Sequence, residues 1–180
     1  MSEASDRLKL IEAKIREREE TAVMGHSFVR EVVKEFLLSA KEYAAGDLET
    51  DRRFEIVLDN KTESTSVDYL ITISGKRFMA IKCTPGALES RERHLVAFAR
   101  VVSECQIPYA VVTDGARARL LDTATGKVVA EGLESIPDRK RAVEMAETLK
   151  FEPCAPERVE KEKRILLAFD SIACTQESGE

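Results

Sequence analysis

Hydrophobic positions along the chain follow two different periods. Over residues 5–20, Leu8, Ile11 and Ile15 recur three and four apart among charged residues, which predicts an amphipathic helix with a narrow apolar stripe. The next segment, HSFVREVVKEFLLSAKEYAA, places Phe28, Val29, Val32, Val33, Phe36 and Leu37 on a wider apolar face, and Gly46 marks its end. The period then shortens. RRFEIVL, SVDYLITI and KRFMAIKC read as strands, separated by the polar stretch DNKTESTS and by a turn at Ser74–Gly75–Lys76.

Pro85–Gly86 ends the third run, and helical spacing returns through Leu88, Leu95, Phe98, Ala99 and Val102. YAVVT, ARARLLD and KVVAEGL follow, with turns at Asp114–Gly115 and Thr125–Gly126. Pro137 opens a further helix, and Pro153 and Pro156 separate it from ERVEKEKRILLAFDSIA, where Val159, Ile165, Leu166, Phe169 and Ile172 lie beside charged residues. This order predicts a central mixed β-sheet flanked by helices, of α/β or α+β class. Residues 50–85 are expected to form three consecutive antiparallel strands. The 87–105 helix then crosses to a strand at 109–113, in the parallel sense that strand–helix–strand units take. The expected divisions are 1–25 as an N-terminal amphipathic helix, 26–150 as the domain, and 151–180 as a C-terminal helix and tail.

Composition narrows the function classes. With 180 residues, 43% of them hydrophobic, the chain is about one domain and needs neither disulfide nor metal to hold its core. No apolar run approaches the roughly 18 residues that span a bilayer, and the N-terminus is charged throughout, so no membrane role is expected. Cys83, Cys105, Cys154 and Cys174 are scattered, and His26 and His94 are the only histidines, so a zinc site is not expected and a reducing cytoplasm is the simplest setting. The net charge of −5 means that nucleic acid binding would need a local basic patch. Lys76, Arg77, Arg91, Arg93, Arg117 and Arg119 are candidates for such a rim, although Glu89 and Glu92 lie close enough in sequence to balance it.

The chemistry concentrates at Asp68, opening the second strand run, and Lys82, closing the third. An Asp at a strand start followed one hairpin later by an acidic-x-Lys tripeptide is a metal-dependent nuclease arrangement. Two carboxylates hold Mg²⁺, a hard ion that takes oxygen ligands, and the lysine steadies charge at the phosphate. Residues two apart on a strand share a face, which explains the spacing.

Over residues 26–150 the chain resembles the N-terminal nuclease-like domain of type I restriction enzyme R subunits, within the PD-(D/E)XK superfamily. The resemblance rests on HSFVREVVKEFLL, on VDYLITISGKRFMAIKCTPG, and on the last segment's Tyr109, Thr113, Asp114, Gly115, Leu121, Asp122, Thr125 and Gly126. It implies a restriction-endonuclease-like fold, DNA as partner and a restriction-modification-type protein partner; the apolar stripes of the two terminal helices, separately, lead to the expectation of a homodimer in which one or both cross the interface. It also implies Asp68 as metal ligand and Asp68 with Lys82 as the catalytic pair, with Mg²⁺ as cofactor only if the site functions and none otherwise.

The motif departs from the family pattern "apolar-E-x-K-x-PG". In one alignment Ala80 stands at the acidic position and Lys82 at the lysine; in the other Lys82 replaces the acid and Thr84 the lysine. A three-residue turn at 74–76 sets Asp68 opposite Lys82 and favours the second. Glu31 and Glu35 on the preceding helix, and Glu55 on the first strand run, are candidates for a third carboxylate. Arg77, Arg91, Arg117 and Arg119 are the candidate nucleic-acid contacts. His94 reads as a helix-surface residue and Cys83 as core. The resulting expectation is a catalytically impaired nuclease-fold module that binds nucleic acid or joins a restriction-like complex. A scaffold domain assembling through its terminal helices is the alternative, and an active Mg²⁺-dependent endonuclease ranks behind both.

Overall fold

The computed structural model describes residues 25–177, with side chains to residue 171. The 5–20 helix and the side chain of Ile172 lie outside that range. α1 occupies 25–35 and runs on into a π-helical turn, Phe36–Ala40. The strands are β1 (Leu48–Thr50), β2 (Arg53–Leu58), β3 (Lys61–Ser66), β4 (Tyr69–Ile73), β5 (Lys76–Cys83), β6 (Tyr109–Thr113), β7 (Ala118–Asp122) and β8 (Lys127–Glu131). α2 (Glu89–Val101) links β5 to β6, and α3 (Arg139–Thr148) and α4 (Pro156–Glu177) follow the last strand.

Six strands form one mixed sheet in the order β1-β4-β5-β6-β7-β8. Among the described residues only β5 and β6 pair in parallel, across the α2 crossover expected from the sequence. With four helices around it, this is an α+β fold consistent with a nuclease-like domain.

Period-two alternation divides the core. Tyr69, Ile71, Ile81, Cys83, Val111 and Leu120 point to one face, where Val29, Val33 and Leu37 of α1 and Ala142 of α3 cover them. Leu70, Ala80, Ala110, Val112 and Leu121 point to the other, beneath Leu95, Phe98 and Ala99 of α2 and Leu166 of α4. Cys83 packs in the core as its strand position predicts. Gly115, at φ 88°, seats the turn after β6 against α1, since an added Cβ there would lie 3.4 Å from Val32.

Three expectations need correction. RRFEIVL is not the first strand of the sheet: β2 pairs with β3 in a separate ribbon, and the strand beside β4 is β1. KTESTS carries no apolar alternation because only Thr65 in it is buried. It is recruited through Asp59–Asn60, whose φ values of 49° and 60° make the I′-type turn that suits a two-residue hairpin. His94 is also not on the surface. α2 lies between sheet and α4, so His94 is buried with Nε2 2.9 Å from Asp170.

The third correction concerns the β4–β5 turn, which has two residues, Ser74 and Gly75, so that Ile73 pairs with Lys76. A bulge then leaves Phe78 without a partner and shifts the register by one, bringing Ile71 opposite Met79 and Tyr69 opposite Ile81. The expected juxtaposition of Asp68 with Lys82 therefore arises by another route. Phe78 and Met79 both enter the α1 face of the core, so the bulge is held by packing.

α4 belongs to the same core. Glu162 is buried and accepts from Arg93 at 2.7 Å and Arg100 at 2.8 Å, both on α2. Burial alone would raise its carboxyl, but those hydrogen bonds hold it below the ordinary range. Among the described residues, no helix is long and apolar enough to cross a membrane. Leu166→Ala should cost about 2–5 kcal/mol in a urea unfolding measurement. The exposed Val57→Ala should stay within about 0.5 kcal/mol. Equal effects would show that α4 is not part of the folding unit.

Candidate functional site

Asp68 stands just before β4 and outside its ladder, at the end of the sheet where the parallel strands β5 and β6 finish. Its carbonyl accepts the Asp51 N–H at 3.2 Å, which ties the turn after β1 to this position. The bulge in β5 sets Lys82 across from it. One turn of helix separates His26 from Arg30, and both reach Asp68 from α1.

Each carboxylate oxygen has two partners. Oδ1 lies 3.0 Å from His26 Nε2 and 3.4 Å from Arg30 Nε. Oδ2 accepts the Cys83 N–H at 2.8 Å and lies 3.6 Å from Lys82 Nζ. Arg30 is held in turn by Asp51 and lies over the Tyr69 ring at 5.8 Å, and Tyr69 donates to the Arg30 carbonyl at 2.7 Å. Burial would push the Asp68 carboxyl up. The hydrogen bond from His26, the Lys82 charge and the Cys83 N–H outweigh it and hold the group below the ordinary carboxylate range. Burial, reinforced by Asp68, pushes the Cys83 thiol well above its usual value, which leaves it without thiolate character. Burial likewise pushes Tyr69 up to about 12.

The exposures run opposite to those of a metal site. The Asp68 side chain is 4% exposed, while Lys82 is 22%, Arg30 25% and His26 36% exposed. Solvent therefore meets Lys82, Arg30 and His26, with Asp68 behind them and the exposed carboxylate of Asp51 beside Arg30.

The remaining candidates divide clearly. Ala80 is buried opposite Leu70 and offers no polar group. Thr84 follows β5, donating its N–H to the Thr113 carbonyl at 2.9 Å and accepting the Gly86 N–H on its hydroxyl at 3.2 Å. Glu31 and Glu35 are exposed on α1 and Glu55 is exposed on the ribbon opposite Ser64. Among the described residues, no hydrogen bond or ion pair joins any of the three to Asp68.

The basic candidates do not gather into one patch. Arg77 bonds Ser103 and lies 4.8 Å over the Phe54 ring, and Lys76 lies 4.8 Å over that of Phe151. Arg117 pairs with Asp114 at 2.6 Å. Arg119 is surrounded by Glu89, Glu92 and Glu131 at 3.0, 2.7 and 3.1 Å, and Arg93 is taken by Glu162. Arg91 is half-buried on the first turn of α2.

Magnesium does not suit this donor set. The ion asks for near-octahedral oxygen ligands, usually including one or two carboxylates with free lone pairs. Here both Asp68 oxygens are engaged, and the side chain facing it from β5 is an ammonium. Among the described residues, no group of three or more His, Cys, Asp or Glu is placed to hold a metal.

The sequence reading missed His26 and Arg30. Their signal was present: 26, 30, 33 and 37 follow helical spacing, so these two polar residues continue the buried stripe of Val33 and Leu37 toward the helix start.

A family model described as the type I restriction enzyme R protein N terminus matches residues 26–137, more than half of the chain. No curated protein and no solved structure matches.

The depressed Asp68 carboxyl has a signed consequence for stability. Its contribution is complete above the ordinary Asp value of about 3.9 and is lost as pH falls from there through the lower folded value. Asp68→Asn should therefore destabilise the protein at pH 7, by about 3 kcal/mol if it behaves as a broken buried pair. It should also flatten the acid limb of a urea-midpoint profile below about pH 4. An acid limb as steep as that of the unaltered protein would remove Asp68 from the account.

Proposed function

The chain belongs to the type I restriction enzyme R protein N-terminal family, and from that premise we propose that this restriction-enzyme-related module engages nucleic acid without cutting it. One observation carries the reading: the ammonium of Lys82 lies 3.6 Å from the buried Asp68, at the position where a metal-dependent site needs a second carboxylate. Hydrolysis assisted by Mg²⁺ depends on carboxylates that hold the ion against its own hydration, with water and the leaving oxygen organised around it. Asp68 alone, hydrogen-bonded by His26 and the Cys83 N–H and ion-paired with Arg30 and Lys82, does not support that step. Of the two motif alignments, the pairing supports the one in which Lys82 stands at the acidic position and Thr84 at the lysine.

What remains is an electrostatic site with cations toward solvent, in a family whose description names a type I restriction enzyme R protein. Cations facing a phosphate backbone give affinity that falls steeply with salt. Partners of a restriction type, or a second copy of the chain, belong to this proposal as the assembly in which binding would be used. The apolar face of α4 is occupied within the chain by Leu166, which lies buried against α2.

Supercoiled plasmid incubated with the full chain and either Mg²⁺ or Mn²⁺ should remain uncut. Fluorescence anisotropy should show binding to a labelled DNA duplex that weakens as salt is raised. Cleavage that disappears in Asp68→Ala would overturn the first half, and no binding at low salt would overturn the second.

A further inference from the structure

Resting on the nucleic-acid reading above, we propose that the Asp68 site recognises a phosphate anion through Lys82 directly, with no metal ion between them. Both Asp68 oxygens are engaged, so the carboxylate serves as an internal counter-ion that fixes the cations in place. Arg30 is further committed to Asp51, and His26 to Asp68 Oδ1.

Lys82 is the cation left with capacity. Its only polar contact among the described residues is Asp68 at 3.6 Å, an ion pair too long for a hydrogen bond. An ammonium carries three donors, and this one is partly open to solvent. Two residues on, the buried Thr84 accepts the Gly86 N–H, and among the described residues no acceptor takes its own hydroxyl hydrogen. Both residues lie where the parallel pair β5–β6 ends, and in α/β sheets ligands bind outside the carboxyl ends of parallel strands. A partly exposed lysine with unspent donors, held in place by a buried carboxylate and followed two residues on by a hydroxyl, forms a site for an oxyanion. A divalent cation would meet repulsion from the Lys82 ammonium there. Phosphate is the anion that nucleic acid presents, whether as a backbone diester, a terminal monoester or a free ion.

The test measures binding of the full chain to a labelled DNA duplex and to inorganic phosphate, each with excess EDTA and with added Mg²⁺. Affinity should be the same in both buffers. Lys82→Met should weaken it about tenfold, the loss expected for one charge-assisted contact, while Lys82→Arg should retain most of it. The exposed Lys140→Met on α3, which removes an equal charge elsewhere, should have little effect. Far-UV circular dichroism checks that each variant is folded.

Competition by inorganic phosphate against a 5′-phosphorylated duplex alone would support a terminal phosphate as ligand. Competition against unphosphorylated duplex as well would support a backbone phosphate. Binding abolished by EDTA would overturn the inference by requiring a metal bridge. Duplex binding unchanged in Lys82→Met would overturn it too, while leaving the nucleic-acid reading intact. No duplex binding by the unaltered chain would instead defeat that reading.

Discussion

A carboxylate taken out of water at the end of a sheet has to be neutralised where it stands, and the arrangement around Asp68 follows from that requirement. An unpaired buried charge costs far more than any one contact returns, so partners must converge on it from several elements. They do: α1 supplies His26 and Arg30, β5 supplies Lys82 and the Cys83 amide, and the turn after β1 is tied in through Asp51. The bulge at Phe78 is the backbone device that makes this possible. Without its one-residue shift, the tight Ser74–Gly75 turn would place Val67 rather than Asp68 across from Lys82.

A second buried charge uses the same solution elsewhere. Glu162 of α4 is closed by Arg93 and Arg100 of α2, and Arg100 also donates to the Thr123 and Ala124 carbonyls at 2.9 and 3.1 Å. That cluster joins elements on the face of the sheet opposite α1 and carries the chain beyond the 26–137 span of the family match. The two clusters differ in what they leave available. Glu162 and Arg100 are buried and fully paired, which makes their role structural. Arg93 reaches solvent as Lys82 does, but it donates to Glu162 at 2.7 Å, whereas Lys82, 3.6 Å from the buried Asp68, keeps unspent donors. That difference separates a site from a structural ion cluster of the same composition.

Much of this was legible in the sequence. Near-continuous apolar runs at 69–73 and 78–83, a helix, and another apolar run at 109–113 specify the antiparallel hairpin and the parallel crossover, because burial on both faces leaves few other arrangements. Asp68 and Lys82 were found as a pair for the right register and the wrong turn, since a bulge leaves no mark in the hydrophobic pattern. The ribbon strand KTESTS was missed because one buried residue carries no period, although Asp59–Asn60 is a hairpin-turn signal. His94 was missed because a helix covered on both sides buries polar positions that a single-face reading assigns to solvent. For the site, attention fell on Glu31 and Glu35, which share a helix face but not the buried one. His26 and Arg30, on the buried stripe, were the residues that mattered.

The central claim is that Lys82 acts as the resident cation of a site built around Asp68. The most direct measurement follows the Asp68 side-chain carboxyl carbon by NMR through an acid titration, in the unaltered chain and in Lys82→Met. The account predicts a midpoint below the ordinary carboxylate range, unmoved by added Mg²⁺, that rises when Lys82 is replaced. A midpoint indifferent to Lys82 but lowered by Mg²⁺ would contradict it and return Asp68 to the role of a metal ligand.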